Sequence, residues 1–191
     1  AHSLRSGPGK TRMASPLPVS RYLDDLFARH KLNRTGKLAD YIPELARVEP
    51  DQFGIAFATM DGYIYEVGDT TNLFTIQSVS KAIVYGLALH DHGRQEVLRK
   101  IGVEPSGEAF NSIAFDEKNN RPFNPMVNAG AIAATALVKG GDKETRWHRL
   151  LDMFERFAGR SLSMDESVYH SESATGHRNR AIAFLELNSG M

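Results

Sequence analysis

The stretch Phe74-Thr-Ile-Gln-Ser-Val-Ser-Lys81 decides how the chain is interpreted. It contains Ser78-Val79-Ser80-Lys81, a Ser-x-x-Lys tetrad at the start of a helix predicted over residues 78–90, which is apolar on most of its faces. A spacing of three places Ser78 and Lys81 on one helix face, one turn apart. A serine hydroxyl needs a base to remove its proton, and a buried lysine with a lowered pKa can be that base. By itself the tetrad is a weak signal, since a capping serine beside a solvated lysine gives the same pattern more often. Its place at the head of a helix too apolar for the surface strengthens the case for acyl-serine chemistry.

The chain before the tetrad predicts a β-hairpin over about residues 53–67. Two β-rich runs flank Asp61-Gly62, and an Asp-Gly pair in that position is a strong short-range hairpin signal. Apolar residues at helical spacing predict a helix over residues 19–31, and a second is predicted over 37–48, kinked or restarted at Pro43. Residues 1–15 have the composition of a tag scar or a disordered arm.

The sequence after the tetrad predicts mostly helices. Helices are expected over residues 94–101 and 129–138, then from a cap at Asp142 to Gly159, and finally from about His177 onward, with a loop over 104–124. No further strand signal follows, although an isolated hairpin is only marginally stable. We therefore expect residues 16–191, with their helical part at about 78–191, to be one portion of a longer domain whose late strands lie outside this chain.

Composition excludes several classes of function. The 191 residues carry 23 Lys and Arg against 23 Asp and Glu, and this neutral balance argues against nucleic acid as a partner. There is no cysteine, and no apolar run is long enough to cross a membrane. His90-Asp91-His92 has no evident third ligand and is better explained as a helix end. We expect a cytoplasmic protein without a metal or other cofactor and without a membrane partner.

Five strings together resemble the serine-dependent glutaminase family, in family order and at similar spacings. They are Gly-Lys-Leu-Ala-Asp-Tyr-Ile-Pro-Glu-Leu (36–45), Gln-Ser-Val-Ser-Lys (77–81), Glu-Pro-Ser-Gly-Glu-Ala-Phe-Asn-Ser (104–112), Asn-Pro-Met-Val-Asn-Ala-Gly-Ala-Ile (124–132) and Ser-Glu-Ser-Ala-Thr-Gly-His-Arg-Asn (171–179). The resemblance runs from about Val19 to the end of the chain. It implies an α/β (α+β) fold of the β-lactamase and penicillin-binding type, here as an N-terminal hairpin plus a largely helical part.

The resemblance also implies an activity and a role for individual residues. The activity is hydrolysis of L-glutamine to L-glutamate and ammonia through an acyl-serine intermediate, in a homo-oligomer that is a dimer or a tetramer. The matching catalytic residues are Ser78 as nucleophile, Lys81 as base and Tyr41 facing the nucleophile. The matching substrate-binding residues are Ser78, Gln77, Asn128, Glu172 and Asn179. Family members are longer than this chain, and their later active-site tyrosines lie beyond it.

The chemistry of glutamine fits these residue types. Glu172 can accept a charge-assisted hydrogen bond from the α-ammonium, while Asn128 and Asn179 can donate to the α-carboxylate. Two alternatives stay open from the residues themselves. One is a penicillin-recognising acyl-serine hydrolase, and the other is a truncated, non-catalytic module for amino-acid binding or oligomerisation.

Overall fold

The computed structural model describes residues 18–116 and 118–190, and the predicted arm over residues 1–15 lies outside them. The chain divides into two compact units, of which the first comprises residues 18–40 and 46–73 and the second residues 41–45 and 74–190. The elements are α1 (Pro18–His30), β1 (Gly54–Ala58), β2 (Ile64–Gly68), α2 (Ser80–Lys100), α3 (Asn128–Ala136), α4 (Lys143–Ala158), α5 (Glu166–Thr175) and α6 (His177–Asn188). None of the described helices is both long enough and apolar enough to span a bilayer.

The first unit contains the predicted hairpin. Strands β1 and β2 pair antiparallel, with Gly54 opposite Gly68 and Ala58 opposite Ile64. The turn is closed by a 3.0 Å hydrogen bond from Gly62 N to Thr59 O. Gly62 has a φ of +86°, a conformation that glycine adopts without steric cost. The Asp-Gly signal is therefore confirmed, and the turn residue that requires glycine has one.

Helix α1 packs against this hairpin within the first unit. The Phe27 and Phe53 rings stack with centroids 5.2 Å apart and nearly parallel planes. Gly68 has a φ of +77°, and a Cβ at this position would collide with the Phe27 ring and the Phe53 carbonyl oxygen. The helix thus covers the two-stranded sheet of the described chain, which would be marginal without such a layer.

The prediction of a helix over residues 37–48 is wrong. Only a short 3-10 helix, Pro43–Arg47, forms there, and the residues before it are irregular. Proline lacks the N–H that a continuing α-helix needs, and it disfavours the helical conformation of the preceding residue, Ile42. Ile42 is nevertheless only 3% exposed, so one apolar position of the pattern is buried without a helix.

The core of the second unit lies between α2, α3 and α4. Its buried residues are Val84, Leu87, Ala88, Val97, Ile101, Ala133, Ala134 and Val138. Helix α2 is interrupted at Gly93, where φ is +74°, so the chain has the two helical segments that were predicted on either side of this glycine. Arg149 donates two hydrogen bonds of 2.6 Å to the buried Asp91 carboxylate, which ties α4 to α2. This pairing holds the pKa of Asp91 well below its usual range.

The later helices begin and end largely as the sequence indicates. Asp142 Oδ1 accepts a 2.7 Å hydrogen bond from Thr145 N and caps α4, and Gly159 ends that helix with a φ of +66°. Helix α6 begins at His177 as predicted. Helix α5 was not predicted, although Asp165 caps it by accepting a 3.1 Å hydrogen bond from Val168 N.

Candidate active site

Ser78 lies just before α2, in the 3-10 turn Gln77–Val79, rather than inside the helix as the tetrad suggested. Its side chain is exposed. Gln77 has a φ of +38°, in the left-handed region that non-glycine residues rarely occupy. The Ser80 hydroxyl donates a 2.7 Å hydrogen bond to Gln77 O and holds this turn. The geometry presents Ser78 at the head of α2, accessible to a small molecule.

Lys81 is the buried cation of the site, only 9% exposed. Its ammonium donates to Met126 O at 3.0 Å and to Asn128 Oδ1 at 2.8 Å, and it lies 5.7 Å from the centroid of the Phe110 ring. Burial lowers the pKa of Lys81, because removal from water penalises the charged form. In the described part of the chain the Ser78 hydroxyl forms no hydrogen bond with Lys81. The ammonium still has a third donor available for such a contact.

Asn128 is held in place by the turn that precedes α3. Asn124 Oδ1 accepts hydrogen bonds from Met126 N at 3.0 Å and Val127 N at 3.3 Å, which fixes an Asx turn. Asn128 N donates to Phe110 O at 2.8 Å. A Cβ at Gly130 would collide with the Asn124 carbonyl oxygen, so only glycine permits this approach of turn and helix. These backbone contacts fix the position from which the Asn128 side chain meets Lys81.

Glu172 and Asn179 lie on either side of the corner between α5 and α6. Gly176 N donates a 2.7 Å hydrogen bond to Glu172 O, and this bond closes the corner. Asn179 Oδ1 in turn accepts a 3.1 Å hydrogen bond from Asn128 Nδ2. Glu172 therefore belongs to α5, a helix that the sequence did not predict.

A cleft of about 360 Å³ opens at this corner. Its lining residues are Ile132, Tyr169, Glu172, Ser173, Gly176, Asn179, Arg180 and Ala183. It thus contains Glu172 and Asn179, two of the three residues predicted for the amino-acid end of glutamine, whereas Asn128 is not in its lining. Its volume is in the range of small-molecule sites. Arg180 Nη1 donates a 2.7 Å hydrogen bond to Ser173 O and braces the corner from the cleft side.

Sequence reasoning missed Tyr169 and Arg180 as cleft residues. Tyr169 precedes Glu172 by three residues, so the two lie on one face of α5. This three-residue spacing is informative only once α5 is recognised as a helix. Arg180 directly follows Asn179, and no feature of the sequence distinguished it from the other arginines.

Besides Ser78, two predicted site residues are not joined to this network. Tyr41 is 61% exposed, and within the described residues no hydrogen bond or ring contact links it to Ser78. Gln77 Nε2 donates to Thr75 Oγ1 at 3.5 Å, a local contact within its own segment. The structure therefore joins Lys81, Asn128 and Asn179 by hydrogen bonds and places Glu172 with Asn179 in one cleft.

Comparison with known proteins identifies the family. A family model described as glutaminase matches residues 36–191. The chain is 56% identical over 176 residues to the glutaminase of Trichormus variabilis, covering 92% of this chain and 53% of that protein. It is 53% identical over 188 residues to glutaminase 2 of Bradyrhizobium diazoefficiens, covering 97% of this chain and 30% of that protein. The chain thus spans about half the length of the first of these curated relatives.

Solved structures support the same family. A structure titled "Probable glutaminase ybaS" superposes with a TM-score of 0.85 at 40% identity, covering 90% of this chain and 56% of that one. A structure described as a "Probable glutaminase from Bacillus subtilis complexed with 6-diazo-5-oxo-L-norleucine" gives a TM-score of 0.77 at 31% identity, covering 96% of this chain and 56% of that one. Both have the mixed α/β, β-lactamase-like fold that the sequence led us to expect. The family model, the relatives and the shared fold agree, and the chain belongs to the glutaminase family.

Proposed function

We propose that this chain supplies the nucleophile and part of the substrate cleft of an enzyme that hydrolyses L-glutamine to L-glutamate and ammonia. Residues 16–191 would be the N-terminal portion of its catalytic domain. The observation that carries the proposal is the hydrogen-bonded path from Lys81 through Asn128 to Asn179, which connects the head of α2 with the cleft containing Glu172. Among the similar structures, one is titled as a glutamate form of Mglu, with a TM-score of 0.84.

The reaction follows from the chemistry of these side chains. Neutral Lys81 takes the proton from the Ser78 hydroxyl while Oγ bonds to the side-chain amide carbon of glutamine. The C–N bond then breaks, and the leaving nitrogen takes the proton from Lys81 and departs as ammonia. Water hydrolyses the γ-glutamyl ester, with Lys81 again accepting a proton and returning one to Ser78. Burial of Lys81 favours the neutral amine that both steps require.

Binding would distinguish the two ends of the substrate. The Glu172 carboxylate accepts hydrogen bonds from the α-ammonium. Asn179 uses its oxygen to accept from Asn128, so its NH₂ group can donate to the α-carboxylate. A peptide-like substrate of a penicillin-recognising enzyme has no free α-ammonium at this place. The presence of Glu172 in the cleft therefore favours glutamine over that alternative.

Several expectations from the sequence stay predictions. These are the catalytic role of Tyr41, the substrate contact of Gln77, the substrate contact of the Asn128 side chain, the homo-oligomer and the cytoplasmic location. The non-catalytic alternative, in which the chain only binds amino acids, also stays open to the experiment that follows.

The test uses an extended protein, defined as this chain followed by the part of the Trichormus variabilis glutaminase beyond the aligned region. We expect it to release ammonia from L-glutamine, and we expect Ser78→Ala to lower turnover by several orders of magnitude because nucleophile and base act as a unit. Ser163→Ala, at another exposed serine, is the matched control and should retain activity. Ammonia release that persists in Ser78→Ala would contradict the proposed role of this serine.

A further inference from the structure

Each hydrogen bond along the path from Lys81 to the cleft has a fixed direction. An ammonium can only donate, so the Asn128 oxygen must face Lys81, and its NH₂ group must face Asn179. The amide of Asn128 is therefore oriented by Lys81, and the oxygen of Asn179 is in turn engaged by Asn128. A change at either end alters the polarisation of the amide between them.

We propose that Asn128 is a positioning residue that couples the cleft to Lys81, so that the acceptor at position 179 controls how readily Lys81 gives up its proton. This inference rests on the proposed function only in taking Lys81 as the base for Ser78. It assigns Asn128 a role that does not require contact with the substrate.

The physical basis is cooperative hydrogen bonding. When Asn179 Oδ1 accepts from Asn128 Nδ2, the Asn128 oxygen becomes a stronger acceptor and stabilises the Lys81 ammonium. Loss of the acceptor at 179 should therefore let Lys81 lose its proton at lower pH. A negative acceptor at 179 should have the opposite effect, because it strengthens the same path and adds an attractive charge.

The test variants leave the other charged groups around this path unchanged. Helix α3 carries no charged residue, and neither does the 3-10 turn Gln77–Val79. Helix α4 joins α2 through the Arg149–Asp91 pair, near the opposite end of the first segment of α2. The cleft is lined by the charged residues Glu172 and Arg180, and the loop that carries Phe110 also carries Glu108; the test variants leave all three in place.

The test compares Asn179→Leu, which removes the acceptor, with Asn179→Asp, which keeps it and adds charge. The probe is phenylmethanesulfonyl fluoride, which has no amino-acid group, so its reaction with Ser78 reports on the Ser78–Lys81 pair without glutamine recognition. The rate of inactivation of the extended protein is measured against pH, and the modified residue is identified by peptide mass spectrometry. Asn188, exposed at the end of α6, supplies matched Leu and Asp controls.

We expect the acid limb of the inactivation profile to move to lower pH in Asn179→Leu and to higher pH in Asn179→Asp, each by roughly 0.3 to 1 pH unit, the equivalent of one hydrogen bond. The Asn188 variants should leave the profile unchanged. If Asn179→Leu does not fold, the presence or absence of the upward shift in Asn179→Asp decides whether the coupling exists. Unshifted profiles, or shifts of the same sign in both variants, would overturn the coupling.

The outcomes separate this inference from the proposed function. Opposite shifts without ammonia release from glutamine would support the coupling and contradict the glutaminase activity. Normal ammonia release with unshifted profiles would contradict only the coupling. If Ser78 is not modified in the unaltered extended protein, both the coupling and the assignment of Ser78 as nucleophile are overturned.

Discussion

Glu172 is the residue to which we assign recognition of the substrate ammonium. It is half-buried in the last turn of α5 and shares the cleft with Asn179. Charged hydrogen bonds contribute about 1.5 to 3 kcal/mol, so Glu172→Gln should raise the KM for glutamine roughly 10- to 150-fold. Steady-state kinetics of the extended protein measure this. Glu166→Gln, at an exposed carboxylate in the first turn of the same helix, should leave KM unchanged, and an unchanged KM in Glu172→Gln would contradict the assignment.

Glu186 is a buried carboxyl group that the proposed mechanism does not use. It lies on α6, is 3% exposed, and its Oε1 has no hydrogen-bond partner within the described residues. Burial raises the pKa of Glu186 to about 8, because desolvation penalises the charged form. In the folded chain the group is therefore protonated at neutral pH.

The raised pKa of Glu186 makes stability depend on pH in a defined direction. Between the ordinary pKa of 4.5 and the folded value of about 8, the folded state holds a proton that the unfolded state has lost. The free energy of unfolding should therefore fall as pH rises from about 5 to 8, by roughly 3 to 4 kcal/mol from this group at 1.36 kcal/mol per pH unit.

Chemical denaturation of the 191-residue chain at pH 5 and pH 8 measures this dependence. Glu186→Gln keeps the shape of the side chain and should remove this part of the pH dependence. Glu108→Gln, at an exposed carboxylate, should not. Equal pH dependence in the unaltered chain and in Glu186→Gln would show that Glu186 is not held neutral.

At the scale of elements, glycines in two helices have opposite environments. Gly130 in α3 approaches the Asn124 carbonyl so closely that a Cβ would collide with it, whereas a Cβ at Gly86 in α2 meets nothing within 4 Å. Gly130→Ala should therefore destabilise the chain by about 1–3 kcal/mol, as overpacking does. Gly86→Ala should stabilise it by about 0.5–1 kcal/mol through helix propensity. Denaturant midpoints give both values, and stabilisation by Gly130→Ala would contradict the close approach.

The sequence predicted those elements whose signals are local. The hairpin has an Asp-Gly turn, α4 has a capping aspartate and a terminal glycine, and α2 has a run of apolar residues. Helix α5 was missed because its only clear signal is the cap at Asp165, and its sequence lacks a regular apolar face. The helix over 37–48 was predicted from an apolar pattern that Pro43 prevents from continuing as a helix.

The site could be predicted as a set of residues but not as a network. The pairing of Asn128 with both Lys81 and Asn179 joins residues that are 47 and 51 positions apart in the chain, and no local rule specifies such contacts. The spacing of Ser78 and Lys81 did suggest proximity. It could not show that the ammonium would turn instead toward Met126 O and Asn128.

At the scale of the whole molecule, the described chain leaves large apolar side chains accessible. On α6, Phe184 is 70% exposed and Leu187 is 66% exposed. Such surfaces promote association. We therefore expect the 191-residue chain alone to self-associate in sedimentation experiments and to release little ammonia, because an open cleft positions glutamine poorly. The extended protein should be active and more uniform in size, and a monomeric, fully active 191-residue chain would contradict this expectation.

The central claim is that Ser78 carries the glutamyl group during turnover. The most direct measurement is acid quenching of the extended protein during steady-state hydrolysis of glutamine, followed by mass spectrometry of its peptides. We predict a γ-glutamyl ester on Ser78, and no such ester in Ser78→Ala or after incubation with D-glutamine. Rapid turnover with the ester on another residue, or undiminished turnover in Ser78→Ala, would contradict the account.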